Sequence, residues 1–251
     1  MFQRKAIENP VHVAQTITSD LYLSQIYDTI YRKFHSITVS KGKSSPRILE
    51  IGGGALNYAD TYWENSVVTD ADNFKATNKV ITGVHAEQLP FESNSFDYVI
   101  AKDSLHHFKD PVKALFEINR VLKSGGSLLV SEPYWSPLGK LVYKYIHPEP
   151  WDTKVKDLTR TSEDLWDSNQ ALLLLINTKF SNQFKKIFPN FKLKVYEPTY
   201  AISYLISGGV YKRTAIPSKI LILINKLEVK RKTLLKLFGL NIIAEFEKTL
   251  E

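Results

Sequence analysis

A short apolar segment that runs directly into three glycines is the strongest constraint on how this chain folds. Residues 47–51 (RILEI) have the pattern of a buried β-strand, and Gly52, Gly53 and Gly54 follow at once. A strand that ends in a glycine turn is typical of the carboxyl edge of a parallel sheet, where backbone can approach a bound molecule closely. Tight loops also use glycine, so the residues around the turn decide its interpretation.

The rest of the first half alternates between strand and helix patterns, as a parallel sheet requires. Four further apolar segments predict strands at residues 66–69, 80–84, 96–101 and 127–131. The connection at residues 71–79 is too short for the usual crossover helix. We therefore expect a short or absent helix between the second and third strands.

Two helices are marked in this half of the chain. Residues 18–36 place apolar side chains on one helical face, with an N-cap at position 19 or 20. A better-marked helix begins at Asp110, the predicted N-cap, with Pro111 in its first turn. The glycine pair at 125–126 predicts the end of that helix.

Tyrosines recur at helical spacing in the segment before the first strand. They are Tyr22, Tyr27 and Tyr31. The spacing fits either ordinary packing of a half-buried helix or a lid over a ligand site.

The alternation stops after the fifth predicted strand. Residues 133–182 are rich in aromatic and polar side chains. They predict an inserted helical cap that binds a substrate. Strand patterns return at residues 192–200 and 241–247, with a basic helix between them after Pro217. A strand, a helix and a strand in this order fit an antiparallel pair at the edge of the sheet.

These patterns predict an α/β fold of the Rossmann-like, doubly wound kind. We expect a seven-stranded sheet that is mostly parallel, with an antiparallel last strand. Residues 1–132 and 183–251 would form the main domain and residues 133–182 the cap. A chain of 251 residues with 43% hydrophobic content fits one such domain.

Composition excludes several kinds of site and compartment. The chain has no cysteine, which excludes disulfides, thiolate metal sites and cysteine nucleophiles. No segment approaches the roughly 18 consecutive apolar residues of a membrane span. The first ten residues contain no signal-peptide core. We therefore expect a cytoplasmic protein.

The formal charge of +7 comes from one segment, residues 212–236. Lysine and arginine outnumber acids there by eight to one, and the rest of the chain is balanced. Residues 217–238 predict a basic amphipathic helix, which fits either a surface helix packed on the sheet or peripheral contact with an anionic membrane. Aromatic residues are not interleaved with these cations, so nucleic acid is not an expected partner.

Two carboxylates flank the glycine turn. Glu50 stands two residues before Gly52, where a carboxylate can hold a cationic amino group. Asp70 ends the adjacent strand, where a carboxylate can accept hydrogen bonds from both hydroxyls of a ribose. A pyrophosphate would need G-x-G-x-x-G, but the run here is GGGALNYA. A tighter pocket suffices for a nucleoside without phosphates.

Three blocks of sequence together resemble a known family. They are RILEIGGG, VVTDAD and VHAEQLPFESNSFDYVIAKDSLHHFKDPVKALFEINRVLKSGGSLLVSEP, and they cover residues 47–133. In order and spacing they resemble class I (Rossmann-like) S-adenosylmethionine-dependent methyltransferases, specifically the type-11-like methyltransferase domain. The later segments YKYIHPEP, SNQALLLL and YLISGGV resemble a group of bacterial methyltransferases.

This resemblance implies S-adenosyl-L-methionine as the cofactor and assigns its contacts. Glu50 and the glycines Gly52, Gly53 and Gly54 would hold the methionine moiety, and Asp70 the ribose. The other implied contacts are His85, Ala86 and Glu87 beside the adenine and the backbone of Ala101 and Lys102 at the methionine end. Leu56 departs from the glycine often found at its position, and His85 replaces an aspartate, although a neutral imidazole can still accept one hydrogen bond.

Histidines are the candidates for a catalytic base. Methyl transfer is an in-line displacement, so positioning supplies much of its rate, and an oxygen nucleophile also needs a base. His106 is the first candidate and His107 the next, while His147 and Glu149 form a second pair in the predicted cap. The other interpretation of the paired histidines is that they only shape the pocket. Because they are adjacent and lack carboxylates at ligand spacing, no metal site is predicted.

The sequence therefore predicts a methyltransferase that acts on a small-molecule or a lipid- or sugar-linked acceptor. Oxygen is the preferred target atom, with nitrogen and carbon open, and the oligomeric state is open as well. One alternative is a non-catalytic cofactor-binding scaffold that acts through its basic helix. The other, an NAD(P)-dependent oxidoreductase, lacks its glycine pattern, and the one Tyr-x-x-x-Lys match, Tyr98 to Lys102, lies in and just after a strand.

Overall fold

The apolar segments form one mixed sheet in the computed structural model, which describes residues 9–75, 79–158, 168–211 and 214–249. Within these residues the strands are β1 Ile48–Ile51, β2 Ser66–Asp70, β3 Val80–Thr82, β4 Phe96–Lys102, β5 Leu122–Pro133, β6 Phe191–Pro198 and β7 Asn241–Lys248. Their spatial order is β3-β2-β1-β4-β5-β7-β6.

The sheet has the mixed character that the sequence predicts. β1 pairs in parallel with β2 and β4, β2 with β3, and β4 with β5. β7 runs antiparallel to both β5 and β6, so it lies between them and β6 forms the edge. The predicted seven-stranded Rossmann-like sheet with an antiparallel last strand is confirmed.

Helices cover both faces of this sheet. Those described are α1 Pro10–Ser19, α2 Leu21–Ser40, α3 Ala59–Tyr62, α4 Pro111–Val121, α5 Pro137–Tyr145, α6 Leu172–Asn177, α7 Ser181–Ile187, α8 Ile202–Ser207, α9 Ser218–Val229 and α10 Lys232–Phe238, with a 3₁₀ turn at Leu105–His107. Alternate residues of β4 lie on opposite faces of the sheet. Tyr98 and Ile100 pack with α2, and Val99 and Ala101 pack with α4. No helix among the described residues is long and apolar enough to cross a membrane.

The connections between the first strands follow the sequence expectation. Asp20 caps α2 by accepting hydrogen bonds from the backbone of Tyr22 and Leu23, and α2 then extends to Ser40. In the connection between β2 and β3, none of the described residues 71–75 and 79 is helical.

The end of α4 differs from the prediction. Asp110 caps this helix by accepting a hydrogen bond from the Lys113 backbone N–H. The helix ends at Val121, and the glycine pair at 125–126 lies within β5, so its predicted role as a helix stop is wrong. Pairing of β5 with β4 begins directly at Leu122, and the glycines lie where the pairing register shifts. Strand pairing, rather than a helix cap, therefore ends the helix.

The second half of the chain places helices in two long connections. The predicted cap, residues 133–182, begins with the end of β5 and includes α5, α6 and the start of α7, while its residues 159–167 lie outside the described part. The predicted basic helix is divided into α9 and α10, and its neighbours Lys212 and Arg213 lie outside the described part. That residues 133–182 act as a separate acceptor-binding unit stays a prediction.

Replacing Asp110 with alanine should destabilise the protein by about 1 kcal/mol, the usual cost of losing a side-chain N-cap. Urea unfolding followed by circular dichroism measures the change. Asp110→Asn is the matched control, because asparagine caps about as well as aspartate. Equal losses in the two variants would contradict the capping explanation.

Candidate functional site

A cavity of about 370 Å³ opens at the carboxyl edge of β1, β2 and β4. Its walls come from three parts of the chain: the glycine turn after β1, the 3₁₀ turn with the segment that follows α5, and the connection between β6 and β7. Residues of α1 and α2 line it as well, among them Tyr27 and Tyr31. Its size is typical of a small-molecule site.

The glycine turn leaves no room for side chains. A Cβ atom on Gly52 would lie 2.5 Å from Cβ of Ser104, and one on Gly53 would lie 2.4 Å from Cγ1 of Val68. Gly52 and Gly54 both have positive φ, at 70° and 59°. The backbone can therefore form this part of the cavity wall directly, because glycine alone tolerates both the conformation and the close packing.

Glu50 lies beneath the turn with its carboxyl group buried. Tyr31 donates a hydrogen bond to Oε1, whereas Oε2 meets no hydrogen-bond donor within the described ranges. Burial raises the pKa of Glu50 to about 7. A cationic group in the cavity would supply the donor that this oxygen lacks.

Asp70 lies on the other side of the turn, at the end of β2. Its two carboxylate oxygens accept hydrogen bonds from the backbone N–H groups of Gly54, at 2.8 Å, and Asp72, at 2.9 Å. Burial raises the pKa of this carboxyl group. The two backbone bonds hold the carboxylate at the cavity wall, and each oxygen retains capacity to accept another hydrogen bond.

Most of the predicted cofactor residues meet at this cavity. Those that line it are Glu50, Gly52, Gly53, Gly54, Asp70, Ala86, Glu87 and Lys102. His85 and Ala101 are not among the lining residues, and Ala101 is fully buried in the core. The carboxylate of Glu87 accepts a hydrogen bond from the Asp110 backbone, at the start of α4. The specific cofactor roles of these residues stay predictions.

The side chain of Lys102 is a feature that the sequence did not predict, because only its backbone was assigned there. Its Nζ lies 3.7 Å from the centre of the Tyr27 ring and 2.5 Å from Oδ2 of Asp103. Burial alone would lower the pKa of Lys102, but Asp103 and Tyr27 outweigh burial and raise it. The cavity wall therefore holds a cation that is already paired.

The first candidate base, His106, is enclosed by carboxylates. Its Nδ1 lies 2.5 Å from Oε2 of Glu132, and its Nε2 lies 3.3 Å from Oε2 of Glu149. Burial opposes a positive charge on the ring, yet Glu132 and Glu149 raise the pKa of His106 well above its usual value. His107, the next candidate, places Nε2 3.7 Å from the same oxygen of Glu149. Both histidines line the cavity.

His147 joins the same cluster from the end of α5. Its Nδ1 lies 2.9 Å from Nε2 of Gln170, and its Nε2 lies 2.9 Å from the hydroxyl of Tyr211. Burial lowers the pKa of His147 to about 4. Gln170 and Tyr211 also donate hydrogen bonds to Glu149. The base roles predicted for His106, His107 and His147 stay predictions.

Gln170 and Tyr211 are site residues that sequence reasoning missed. Gln170 stands in the segment SNQALLLL, and Tyr211 directly follows YLISGGV. His147 stands in the third such segment, YKYIHPEP. These are the three later blocks that resemble bacterial methyltransferases, so their shared signal was present in the sequence. Only the fold shows that they converge on Glu149.

Comparison with known proteins finds similarity to methyltransferases. Residues 49–130 match the protein family described as "Methyltransferase domain". The chain is 31% identical over 151 residues to the ubiquinone/menaquinone biosynthesis C-methyltransferase UbiE of Vibrio cholerae, which covers 51% of this chain and 57% of that protein. It is 31% identical over 152 residues to the glycine/sarcosine/dimethylglycine N-methyltransferase of Actinopolyspora halophila, which covers 53% of this chain and 26% of that protein.

These matches cover only part of each relative. The chain spans little more than half of the first relative and about a quarter of the second. Among solved structures, a SAM-dependent methyltransferase from Archaeoglobus fulgidus superposes with a TM-score of 0.51 over 89% of this chain and 94% of that chain. At 16% identity, that likeness shows the fold.

The buried carboxyl group of Glu50 should make stability depend on pH. Because burial raises its pKa from 4.5 to about 7, its protonated form favours the folded state. The free energy of unfolding should therefore fall as pH rises from about 4.5 through 7, by at most about 1.4 kcal/mol per pH unit. Urea unfolding of the wild type and of Glu50→Gln across this pH range isolates the contribution of the Glu50 carboxyl group to the free energy of unfolding. Parallel pH profiles for the two proteins would contradict it.

Proposed function

We propose, because residues 49–130 belong to the methyltransferase domain family, that this chain transfers a methyl group from S-adenosylmethionine to a small-molecule acceptor. The observation that carries the proposal is the placement of Glu50 and Asp70 on either side of the glycine turn, in one cavity. The family and the cavity support the same chemistry independently.

The residues of the cavity fit this cofactor. Oε2 of Glu50 is a buried acceptor that meets no donor in the described part of the chain, and the α-ammonium of the methionine moiety would supply one. Asp70 presents a carboxylate to the ribose hydroxyls, and Ala86 and Glu87 form the wall assigned to the adenine. When bound, S-adenosylmethionine supplies an electrophilic methyl group on a sulfonium sulfur.

The opposite wall of the cavity supports a polar acceptor with an apolar body. Tyrosine rings line this wall, at Tyr143, Tyr200, Tyr204 and Tyr211. The polar groups of His147 and Glu149 lie among them. A hydroxyl group can both donate to and accept from such groups, so we propose oxygen as the target atom. The named activities of the two relatives are carbon and nitrogen methylation, and an acceptor screen distinguishes the three.

Cofactor binding tests the proposal directly. Isothermal titration should show that the wild type binds S-adenosylmethionine and S-adenosylhomocysteine but not NADH. Asp70→Asn should bind S-adenosylmethionine at least about tenfold more weakly, since each hydrogen bond to a charged group contributes about 1.5–3 kcal/mol. The control is Glu64→Gln, which changes an exposed carboxylate that does not line the cavity.

The titration also separates the alternatives. An oxidoreductase would bind NADH, and failure to bind S-adenosylmethionine would contradict the proposed enzyme. Binding without turnover on any pool of small-molecule and lipid acceptors would favour the non-catalytic scaffold.

A second proposal concerns the surface of α9, which is apolar where it faces outward. Ile220, Leu223 and Leu227 are 50%, 59% and 47% exposed, while Asn225 and Glu228 are buried. Glu228 is buried because Ser203 of α8 donates hydrogen bonds to it from both its backbone and its hydroxyl, at 2.9 and 2.6 Å. The polar side chains Asn225 and Glu228 therefore face the protein interior, and the apolar side chains face outward.

The exposed apolar residues of α9 lie among cations. Lys219 and Lys226 are exposed on the same helix and Lys230 at its C-cap, and α10 adds exposed Leu237, Phe238 and Lys236. Apolar side chains within a cationic surface fit the interface of an anionic bilayer. We therefore propose that α9 and α10 dock on such a bilayer, which suits a lipid-linked acceptor.

Vesicle sedimentation measures this docking. The protein should sediment with vesicles of equal phosphatidylcholine and phosphatidylglycerol at low salt, and less so at 0.5 M salt, where charges are screened. Leu223→Ser/Leu227→Ser should lose most of the bound fraction. The matched control is Ile81→Ser/Leu193→Ser, which removes two exposed apolar residues from strands. Equal retention of both double variants would contradict the assignment to α9.

A further inference from the structure

We propose that His106, His107 and Glu149 form a binding site for one divalent transition-metal ion at the acceptor side of the cavity. Each residue offers one ligand atom, and these three atoms lie within 4.8 Å of one another. Two imidazoles and one carboxylate are a donor set that zinc and similar ions use in catalytic sites. No metal site was predicted from the sequence, because Glu149 is distant from the histidines along the chain.

Two of the three separations between the donor atoms are close to those of a coordination sphere. Oε2 of Glu149 lies 3.3 Å from Nε2 of His106 and 3.7 Å from Nε2 of His107. Ligand bonds of about 2.0–2.2 Å at tetrahedral angles separate neighbouring ligand atoms by about 3.3–3.6 Å. An ion bound to Oε2 of Glu149 can therefore reach either imidazole nitrogen at bonding distance, and all three atoms lie within 4.8 Å of one another.

Glu132 orients His106 for this role. Its Oε2 lies 2.5 Å from Nδ1 of His106, and its Oε1 accepts a hydrogen bond from the Leu105 backbone at 2.9 Å. Glu132 is fully buried. Contact of one imidazole nitrogen with a carboxylate directs the other nitrogen to a metal in many sites, and it fixes the ring tautomer. Here that arrangement directs Nε2 toward Glu149.

The local charge also favours a divalent cation. Two carboxylates, the buried Glu132 and the half-buried Glu149, face opposite nitrogens of one imidazole ring. Buried charges need compensation, and a divalent ion bound at Nε2 would balance both carboxylates. Beside Glu149, Oε1 of Gln170 is buried and has no hydrogen-bond partner among the described residues. A ligand or a water in the cavity would supply the donor that this oxygen lacks.

The ion would act on the acceptor, and this role rests on the proposed methyl transfer. All three ligands line the cavity, so a coordination position can face its interior. A hydroxyl oxygen bound there would have its pKa lowered by the ion, as metal-bound water does. Such a site favours acceptors that present an alcohol, an enol or a phenol, with oxygen as the target atom.

Metal binding alone tests the site, without cofactor or acceptor. Protein treated with a chelator and then exchanged into chelator-free buffer should bind one equivalent of Zn²⁺ in isothermal titration. His107→Gln and Glu149→Gln should each weaken binding at least tenfold. The control is His12→Gln, because His12 is exposed on α1 and does not line the cavity. Equal affinity in the wild type and both site variants would overturn the proposal.

A spectroscopic measurement on the wild type removes dependence on the folding of the variants. Co²⁺ bound by two imidazoles and a carboxylate in a four- or five-coordinate site should give visible absorption bands several times more intense than those of the hydrated ion. Bands of hydrated intensity in the presence of wild-type protein would overturn the site. Failure here with S-adenosylmethionine binding intact would leave the proposed function standing. The reverse result would remove that function and keep the metal site.

Discussion

Four neighbouring parallel strands end at the same edge of the sheet, and each carries a charged residue at that end. Asp70 ends β2 and Lys102 ends β4, while Glu50 and Glu132 stand one residue before the ends of β1 and β5. Because these strands are adjacent and in register, the four residues lie at one edge of the sheet, and Glu50, Asp70 and Lys102 line the cavity there. The sites described above depend on this geometry, since each is built on one or two of these strand ends.

Burial of these charges determines how the surrounding residues are arranged. A carboxylate removed from water needs donors or a counter-charge, and the chain supplies them from distant segments. Tyr31 of α2 reaches Glu50, and His106 reaches Glu132. Oε2 of Glu50 and Oε1 of Gln170 meet no partner among the described residues, and both belong to residues that line the cavity. Unsatisfied buried atoms at a cavity wall are where ligand atoms are expected to bind.

Contacts between distant segments decided one feature that the local pattern predicted wrongly and one that it left open. The glycine pair at 125–126 has the pattern of a helix stop, yet pairing of Leu122 with Phe96 starts the strand earlier. In α9, the apolar spacing left two interpretations open, and the structure shows Glu228 buried with a hydrogen bond from Ser203. In both cases a contact between segments far apart in sequence decides the outcome.

The sequence by itself determined the order of the strands along the chain, the position of the glycine turn and the carboxylates that flank it. It could do so because alternation, caps and the spacing of Glu50, Gly52 and Asp70 are local properties of the chain. Only the tertiary structure decided which residues of the later segments line the cavity. Glu149, Gln170 and Tyr211 come from three separate segments, and hydrogen bonds join them at one carboxylate. Such a convergence depends on how the connections after β5 and β6 fold over the sheet, and no local spacing encodes it.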